Sequence, residues 1–441
     1  MQAHFASGWA VALLVLLGLA RGNIVEDLDD DSDGLARENM KIRFLACPVK
    51  GDLDISRLQS FAGSGLEIDI LEERVVEKGG FVHVLATGNA AKVLLAQARC
   101  MEQKSSAMGL RMIQPQRVSD EIVTGKDFDL DYRSFQAISA QIAHYRQNYP
   151  HLFHAVEVIG KSYEGRDLLV VHMTAASAGR EVPVPQIWIQ ASQHAREWIA
   201  AASLFAAVNK LIAGYEAQDP RITNLLNNFE LVLMPMVNPD GYEYSRKVNR
   251  MWRKNRAKPH GVDLNRNWDA SWGQFGCPSS TSSDVFCGSG PASEPEVSAV
   301  QNYVLNRLPN RVLGLDVHSF SQLVLYNYGY TTLKAPIDSA LKPMSTAIAQ
   351  AMTQVANQKY IAQQSAGFSA VCGGADDWFY LKAGVPGFTL EMRDRGAYGF
   401  RLPASQIPDS GAELLAGLLA AVDSLPAISS MHAFPNAQIV F

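Results

Sequence analysis

Three polar groups interrupt an apolar stretch near the middle of the chain. In "IWIQASQHAREWIAAASLFAAVNKL", residues 187–211, His194, Arg196 and Glu197 stand where a strand-like run gives way to a helical one. An imidazole and a carboxylate three residues apart can both bind zinc. A catalytic zinc takes about three protein ligands and keeps one position open for water. His318, which follows another apolar run in "LGLDVHSFSQLVLYNYGY", can supply the third ligand. Spacing alone does not single out this pair, since His154 and Glu157 in "HAVE" match it equally well. No other ionisable cluster lies near that second pair in the sequence, and it reads as surface.

The apolar runs that must position these residues are "DLLVVHMTA", "VPQIWIQAS", "ELVLMPMVN", "RVLGLDVHS" and "PGFTLEMRD", each of strand length. Helical patterns alternate with them, such as "TLKAPIDSALKPMSTAIAQAMTQVANQ". Alternation of this kind predicts a large α/β domain around a central sheet, with ligands at strand ends. His194, Asn238, His318 and Glu391 all fall at or just after such ends. Ahead of this domain, "KIRFLACPV", "GLEIDILEER" and "GFVHVLATG" read as strands and "NAAKVLLAQARCMEQ" as a helix, a small α+β unit.

These stretches resemble the zinc metallocarboxypeptidases of the A/B type. The resemblance runs from residue 127 to about 425 and rests on "SQHAREW", "MPMVNPDGYEYS", "NRMWRKNR", "GVDLNRNWD", "HSFSQLVLYNYGY", "GGADDW" and "FTLEMRDRGAYGFRLPASQI", in that order. It implies a mixed eight-stranded sheet flanked by helices and a ferredoxin-like prodomain at 40–118. It also implies one zinc ion held by His194, Glu197 and His318. Glu391 matches the general base, which takes a proton from water and passes it to the leaving amine. Arg253 matches the cation that faces the tetrahedral oxyanion. Asn265 and Arg266 match a clamp for the substrate's free carboxylate, a task suited to a planar guanidinium. Arg196 and Ser319 are counted with the substrate contacts.

Asp376 falls where relatives preferring C-terminal Lys or Arg carry an acid, and Gly329 matches a pocket-lining position. A carboxylate at a pocket floor is costly until a basic group neutralises it. The expectation is a basic, B-like preference, with an A-like preference for apolar or aromatic ends as the alternative. One departure stands out. The family's mobile tyrosine is missing from "QSAGFSAVCGGADDW", where Ser369, or Phe368 with one gap, takes its place. A phenyl ring covers substrate but donates no hydrogen bond, which leaves a catalytically weak peptide-binding protein as a second alternative. Phe320 likewise stands where a tyrosine is common.

The remaining composition sets the context. The chain has 441 residues, 47% of them apolar, and a net charge of −5, which argues against nucleic-acid binding through bulk charge. Residues 1–22 resemble a secretory leader, since the apolar run from Trp9 to Leu19 is too short to span a bilayer. No later stretch reads as a membrane span. The expectation is a secreted monomer without nucleic-acid or membrane partners, acting on peptide C-termini. A trypsin-like protease would activate it in the linker at 119–126 or just before, after Arg117 or Lys126. There is no Asn-x-Ser/Thr site. Of the five cysteines, Cys277 and Cys287 bracket a loop and are expected to pair. Cys47 with Cys100 is a second pairing, leaving Cys372 as a buried thiol close to the pocket. Residues 426–441 read as a tail.

Overall fold

The five apolar runs expected to be strands are strands, and three more join them. In a computed structural model, which describes residues 43–49, 68–70, 80–86, 94, 101–102, 120–176 and 184–429, two sheets form. The first contains β1 (Arg43–Val49), β2 (Ile68–Ile70), β3 (Gly80–Ala86) and β4 (Met101–Glu102), paired antiparallel in the order β2-β3-β1-β4. Met101 and Glu102, placed by the sequence in a helix, instead pair with β1. The segments between these strands lie outside the described residues, and with them the helical half of the ferredoxin-like expectation.

The second sheet follows α1 (Phe135–Asn148). It takes in β5 (Phe153–Lys161), β6 (Asp167–Met173) and β7 (Gln186–Ala191), then, after α2 (Trp198–Glu216) and α3 (Pro220–Asn228), β8 (Glu230–Met234). Helices α4 (Pro239–Lys247) and α5 (Pro295–Arg307) lead to β9 (Arg311–Ser319) and β10 (Leu323–Tyr326). Next come α6 (Asp338–Ala356), β11 (Ile361–Gln364), the single turn α7 (Ser365–Phe368), α8 (Ala375–Leu381), β12 (Gly387–Met392) and α9 (Ile407–Ser429). The order is β11-β10-β12-β9-β7-β8-β6-β5, with both parallel and antiparallel pairs, the mixed eight-stranded sheet that was expected.

The central strands β7 and β8 are buried along their whole length, which is why they read as mainly apolar runs, whereas β5 alternates as an edge strand does. Leu204 and Phe205 of α2, Ile348 of α6 and Leu414 of α9 pack on one face of the sheet against Ile189 and Leu315. Val297 and Val300 of α5 and Trp378 and Phe379 of α8 cover the other, against Trp188 and Val232. Each such side chain contributes about 1.5–3 kcal/mol on burial. α8 lies so close to the sheet that a Cβ on Gly314 of β9 would sit 2.5 Å from the Phe379 ring, and one on Gly387 of β12 would sit 2.3 Å from the Asp376 carbonyl oxygen. Only glycine permits that approach, and it fixes the start of α8 near the strand ends.

One sequence expectation needs correction. α2 has 19 residues and a mean hydropathy of 1.3, long and apolar enough by composition to cross a membrane. Its apolar character has another cause: 12 of its residues are buried against the sheet and α9. The sheet also explains where function collects. β8 follows β7 on one side, while β9 returns to pair with β7 on the other, so strand order reverses at β7 and a crevice opens at the carboxyl ends of β7 and β9.

Candidate metal centre and active site

β7 ends at Ala191, and the chain turns through Ser192, whose φ is 60°, before α2 begins at Trp198. His194 and Glu197 sit in this connection. Glu197 occupies the N-cap of α2, yet its side chain caps nothing. The carboxylate turns inward instead. Its Oε1 lies 2.8 Å from His194 Nδ1 and its Oε2 lies 2.9 Å from His318 Nδ1, with the two Nδ1 atoms 3.1 Å apart. All three residues are buried. His318 comes from the end of β9, and the backbone N–H of Ser319 donates to Glu197 Oε2 at 3.2 Å.

Three ligand atoms spaced this way fit one small cation. A tetrahedral zinc with bonds of 2.0–2.1 Å separates neighbouring ligands by about 3.3 Å, only a few tenths more than observed. Each imidazole is also held from behind by a carboxylate. Asp316 Oδ2 lies 2.7 Å from His318 Nε2, and Asp263 Oδ1 lies 3.1 Å from His194 Nε2. Such partners fix the tautomer that presents Nδ1 to a metal. Burial works against charge on Glu197, but His194 and His318 hold its carboxyl well below the ordinary range. Burial likewise opposes charge on His318, and Asp316 and Glu197 raise it well above the ordinary imidazole value. A positive charge therefore belongs among these groups.

Glu391 of β12 pairs in parallel register with His318 of β9, which sets the two side by side. Its Oε2 is buried without a hydrogen-bond partner, as a group reserved for a ligand would be. Burial, then the neighbouring Glu197 charge, push its carboxyl up to about 8. Arg253 is held by Asp263: Nε and Nη2 both donate to Oδ2 at 3.0 Å. Asp263 thus carries His194 on one oxygen and Arg253 on the other, and it accepts the Asn265 N–H at 3.0 Å. Burial opposes its charge, yet Arg253 and His194 keep it well below the usual carboxylate range. Asn265 Oδ1 accepts the Ala375 N–H at 2.9 Å, and Arg266 Nη1 donates to the Asn265 carbonyl. The Arg196 guanidinium lies 4.3 Å over the Phe400 ring.

These side chains line one cavity of about 510 Å³. Its walls include His194, Arg196, Glu197, Arg253, Asn265, Arg266, Ser319, Phe368, Ser369, Asp376 and Glu391. Of the residues nominated from the sequence, His318 is absent from the lining and almost wholly buried, and Gly329, matched to a pocket-lining position, is absent as well. No tyrosine is among the described lining residues. Asp376 is buried, and burial raises its carboxyl above the ordinary value despite a hydrogen bond from the Ser365 hydroxyl at 2.6 Å. Its neighbour Asp377 is committed elsewhere, accepting from the Gly329 and Tyr330 N–H groups and from Asn327 Nδ2. Asn238, also at a strand end, is structural: it accepts from the Gly241 N–H and donates to the Gln193 and Lys254 carbonyls.

Cys277 and Cys287 form the expected disulfide, with Cα atoms 5.5 Å apart. Cys47 is disulfide-bonded as well, while Cys100 lies outside the described residues. Cys372 is a free, buried thiol that does not line the cavity. Sequence reading missed Asp263 and Asp316. Asp316 lies two residues before His318 on one strand, and so on the same side of it, a signal that was available. Asp263 lies 69 residues from His194 and ten from Arg253, with no periodic pattern linking them.

A model of the family described as zinc carboxypeptidase matches residues 138–417. Carboxypeptidase A4 of Mus musculus is 36% identical over 293 residues, which cover 65% of this chain and 68% of that protein. Carboxypeptidase B of Astacus astacus is 34% identical over 295 residues, covering 65% of this chain and 94% of its own length. Among solved structures, thrombin activatable fibrinolysis inhibitor superposes with a TM-score of 0.75 at 27% identity, over 87% of this chain and 99% of that one.

Proposed function

Because the chain belongs to the zinc carboxypeptidase family and is a metallocarboxypeptidase, we propose that it is secreted as a zymogen and, once processed, removes C-terminal Lys or Arg from peptides. His194, Glu197 and His318 hold the zinc. Zinc held there would supply Lewis acidity and make a nearby water more acidic. Glu391, with its unpartnered oxygen, takes the proton of the attacking water and delivers it to the leaving amine. Arg253, fixed by two hydrogen bonds to Asp263, faces the oxygen on which negative charge develops. Asn265, Arg266 and Arg196 receive the substrate's terminal carboxylate, and the Phe368 ring covers the bound residue without donating a hydrogen bond. Ser319 lines the site and steadies Glu197 through its backbone.

The basic preference is carried by Asp376, a buried carboxylate that lines the cavity and makes no ion pair among the described residues. An incoming ammonium or guanidinium relieves the cost of that burial. Disulfide bonds at Cys277–Cys287 and at Cys47 favour an oxidising, extracellular compartment. The protein activated by thrombin in its own name resembles this chain over most of its length, which supports activation by a protease of that class. Of the two candidate cuts, Arg117 is favoured. Lys126 lies within the 3₁₀ turn Gly125–Leu130, which the Gly125 N–H ties to Gln141 and Arg133 ties through the carbonyls of Asp127 and Phe128.

The test is a trypsin-treated sample, with its new N-terminus read by mass spectrometry, assayed on peptides ending in Arg, Leu and Phe. Arg should be released fastest, and Asp376→Ile should lower kcat/KM for Arg at least about 30-fold relative to Leu. Faster release of Leu or Phe by the wild type would establish the A-like alternative. Zinc binding without cleavage would establish the weak binding protein, which the lack of a tyrosine in the cavity favours.

A further inference from the structure

His154, read from the sequence as surface together with Glu157, has other company in the structure. His154 Nε2 lies 3.0 Å from Glu230 Oε1, and His172 Nδ1 lies 2.8 Å from the same oxygen. One ligand atom from each of the three residues fits within a sphere of contacts no wider than 4.8 Å. They come from β5, β6 and β8, far apart in sequence and adjacent in the sheet. The donor set, two imidazoles and one carboxylate, is the same as in the catalytic centre. Glu230 begins β8, whereas the catalytic groups follow the carboxyl ends of β7 and β9, so the cluster lies at the opposite end of the strands.

We propose that His154, His172 and Glu230 form a second metal site, for zinc or a similar divalent transition ion, that staples the edge strand β5 to β6 and β8. Three observations carry it. First, the site is built by a backbone irregularity. The register of β5 on β6 shifts between Phe153 and Ala155, which makes His154 the extra residue of a β-bulge. Bulges re-aim side chains, and this one brings the His154 ring to 5.3 Å from that of His172. Second, the ligands are oriented from behind. His172 Nε2 meets the Tyr303 hydroxyl at 2.7 Å, leaving Nδ1 for the ion, and Gln186 Nε2 donates to Glu230 Oε2 at 2.7 Å, leaving Oε1. Metal-binding histidines are held in this way. Third, His172 and Glu230 are nearly buried while the His154 side chain is 47% exposed, so the site opens on one side, where water completes the coordination. The two His–Glu spacings of 2.8 and 3.0 Å need only a small expansion to accept a tetrahedral ion, and all three ligand atoms lie within 4.8 Å of one another.

The experiment counts metal. Purified full-length chain, loaded with its catalytic zinc, is dialysed against excess Zn²⁺ or Co²⁺, and bound metal per chain is measured by mass spectrometry. Wild type should hold two equivalents and His154→Ala one, and only the wild type should gain thermal stability from the second. His154 is exposed and remote from the catalytic groups, so the variant should keep its fold and its peptidase activity. A single equivalent in the wild type overturns the proposal. So does a second equivalent that His154→Ala retains, since that ion must lie elsewhere. Neither result bears on the catalytic reading, which is followed separately by activity.

Discussion

Asp263 serves two partners with its two oxygens, and each partner has a different task. Asp263→Asn removes the charge that aligns His194 and neutralises Arg253. Zinc affinity should fall about 10–100-fold, measured by competition with a chelator, and kcat should fall as well. Glu391→Gln is the contrasting case. It keeps the three metal donors and removes only the base, so zinc content should stay at wild-type level while kcat drops by about 10²–10⁴-fold. The site was legible to the extent that chemistry is encoded in residue type. His194, Glu197, His318 and Glu391 are unusual at the ends of apolar runs. Asp263 and Asp316 were not found, because an aspartate in a turn or on a strand has many ordinary uses and only the folded chain shows what it touches. His154 is exposed, as read, but its neighbours in space were not legible: His172 and Glu230 lie 18 and 76 positions away along the chain, and a bulge, invisible in sequence, turns the histidine toward them.

Among the elements, the buried strands were legible, while the half-exposed edge strand β5 and the short strands were not. β7, β8, β9 and β12 are runs of buried residues, and α6 falls inside the predicted helix. β10 and β11 have only four residues each, too few to establish a period, and their pairing with each other and with β12 decides their conformation. α5 carries a prediction about pH. Glu296 in its first turn is fully buried, accepting from the Tyr163 N–H and from Asn255 Nδ2, and burial pushes its carboxyl up to about 7. A folded carboxyl raised above its unfolded value binds its proton more tightly in the native state. Its contribution is therefore full below about 4.5 and is lost as pH rises through about 7. Glu296→Gln should flatten the fall in stability between pH 5 and 8, a difference of roughly 3 kcal/mol at most, read from denaturant melts at several pH values.

Across the whole molecule, the metal centre ties the β7–α2 connection to the end of β9, beside the parallel pairing that already sets the two strands together. His194 and Glu197 belong to the connection from β7 into α2, and His318 belongs to β9. Stripping zinc from the enzyme should therefore abolish cleavage and also lower the melting temperature, with both restored by adding the ion back. Binding to the folded state alone contributes about 4 kcal/mol when the ligand stands at 1,000 times its dissociation constant. The deeper consequence concerns the head of α2. Helices α1, α3 and α4 secure their opening turn with a side chain of their own, whereas at α2 that residue is Glu197, turned toward the metal site. The ion is thus the fastening of the core helix as well as the reagent. A compound that extracts it would leave a protein fraying from its centre, exposed to degradation, where a compound that merely filled the cleft would leave a dormant enzyme intact.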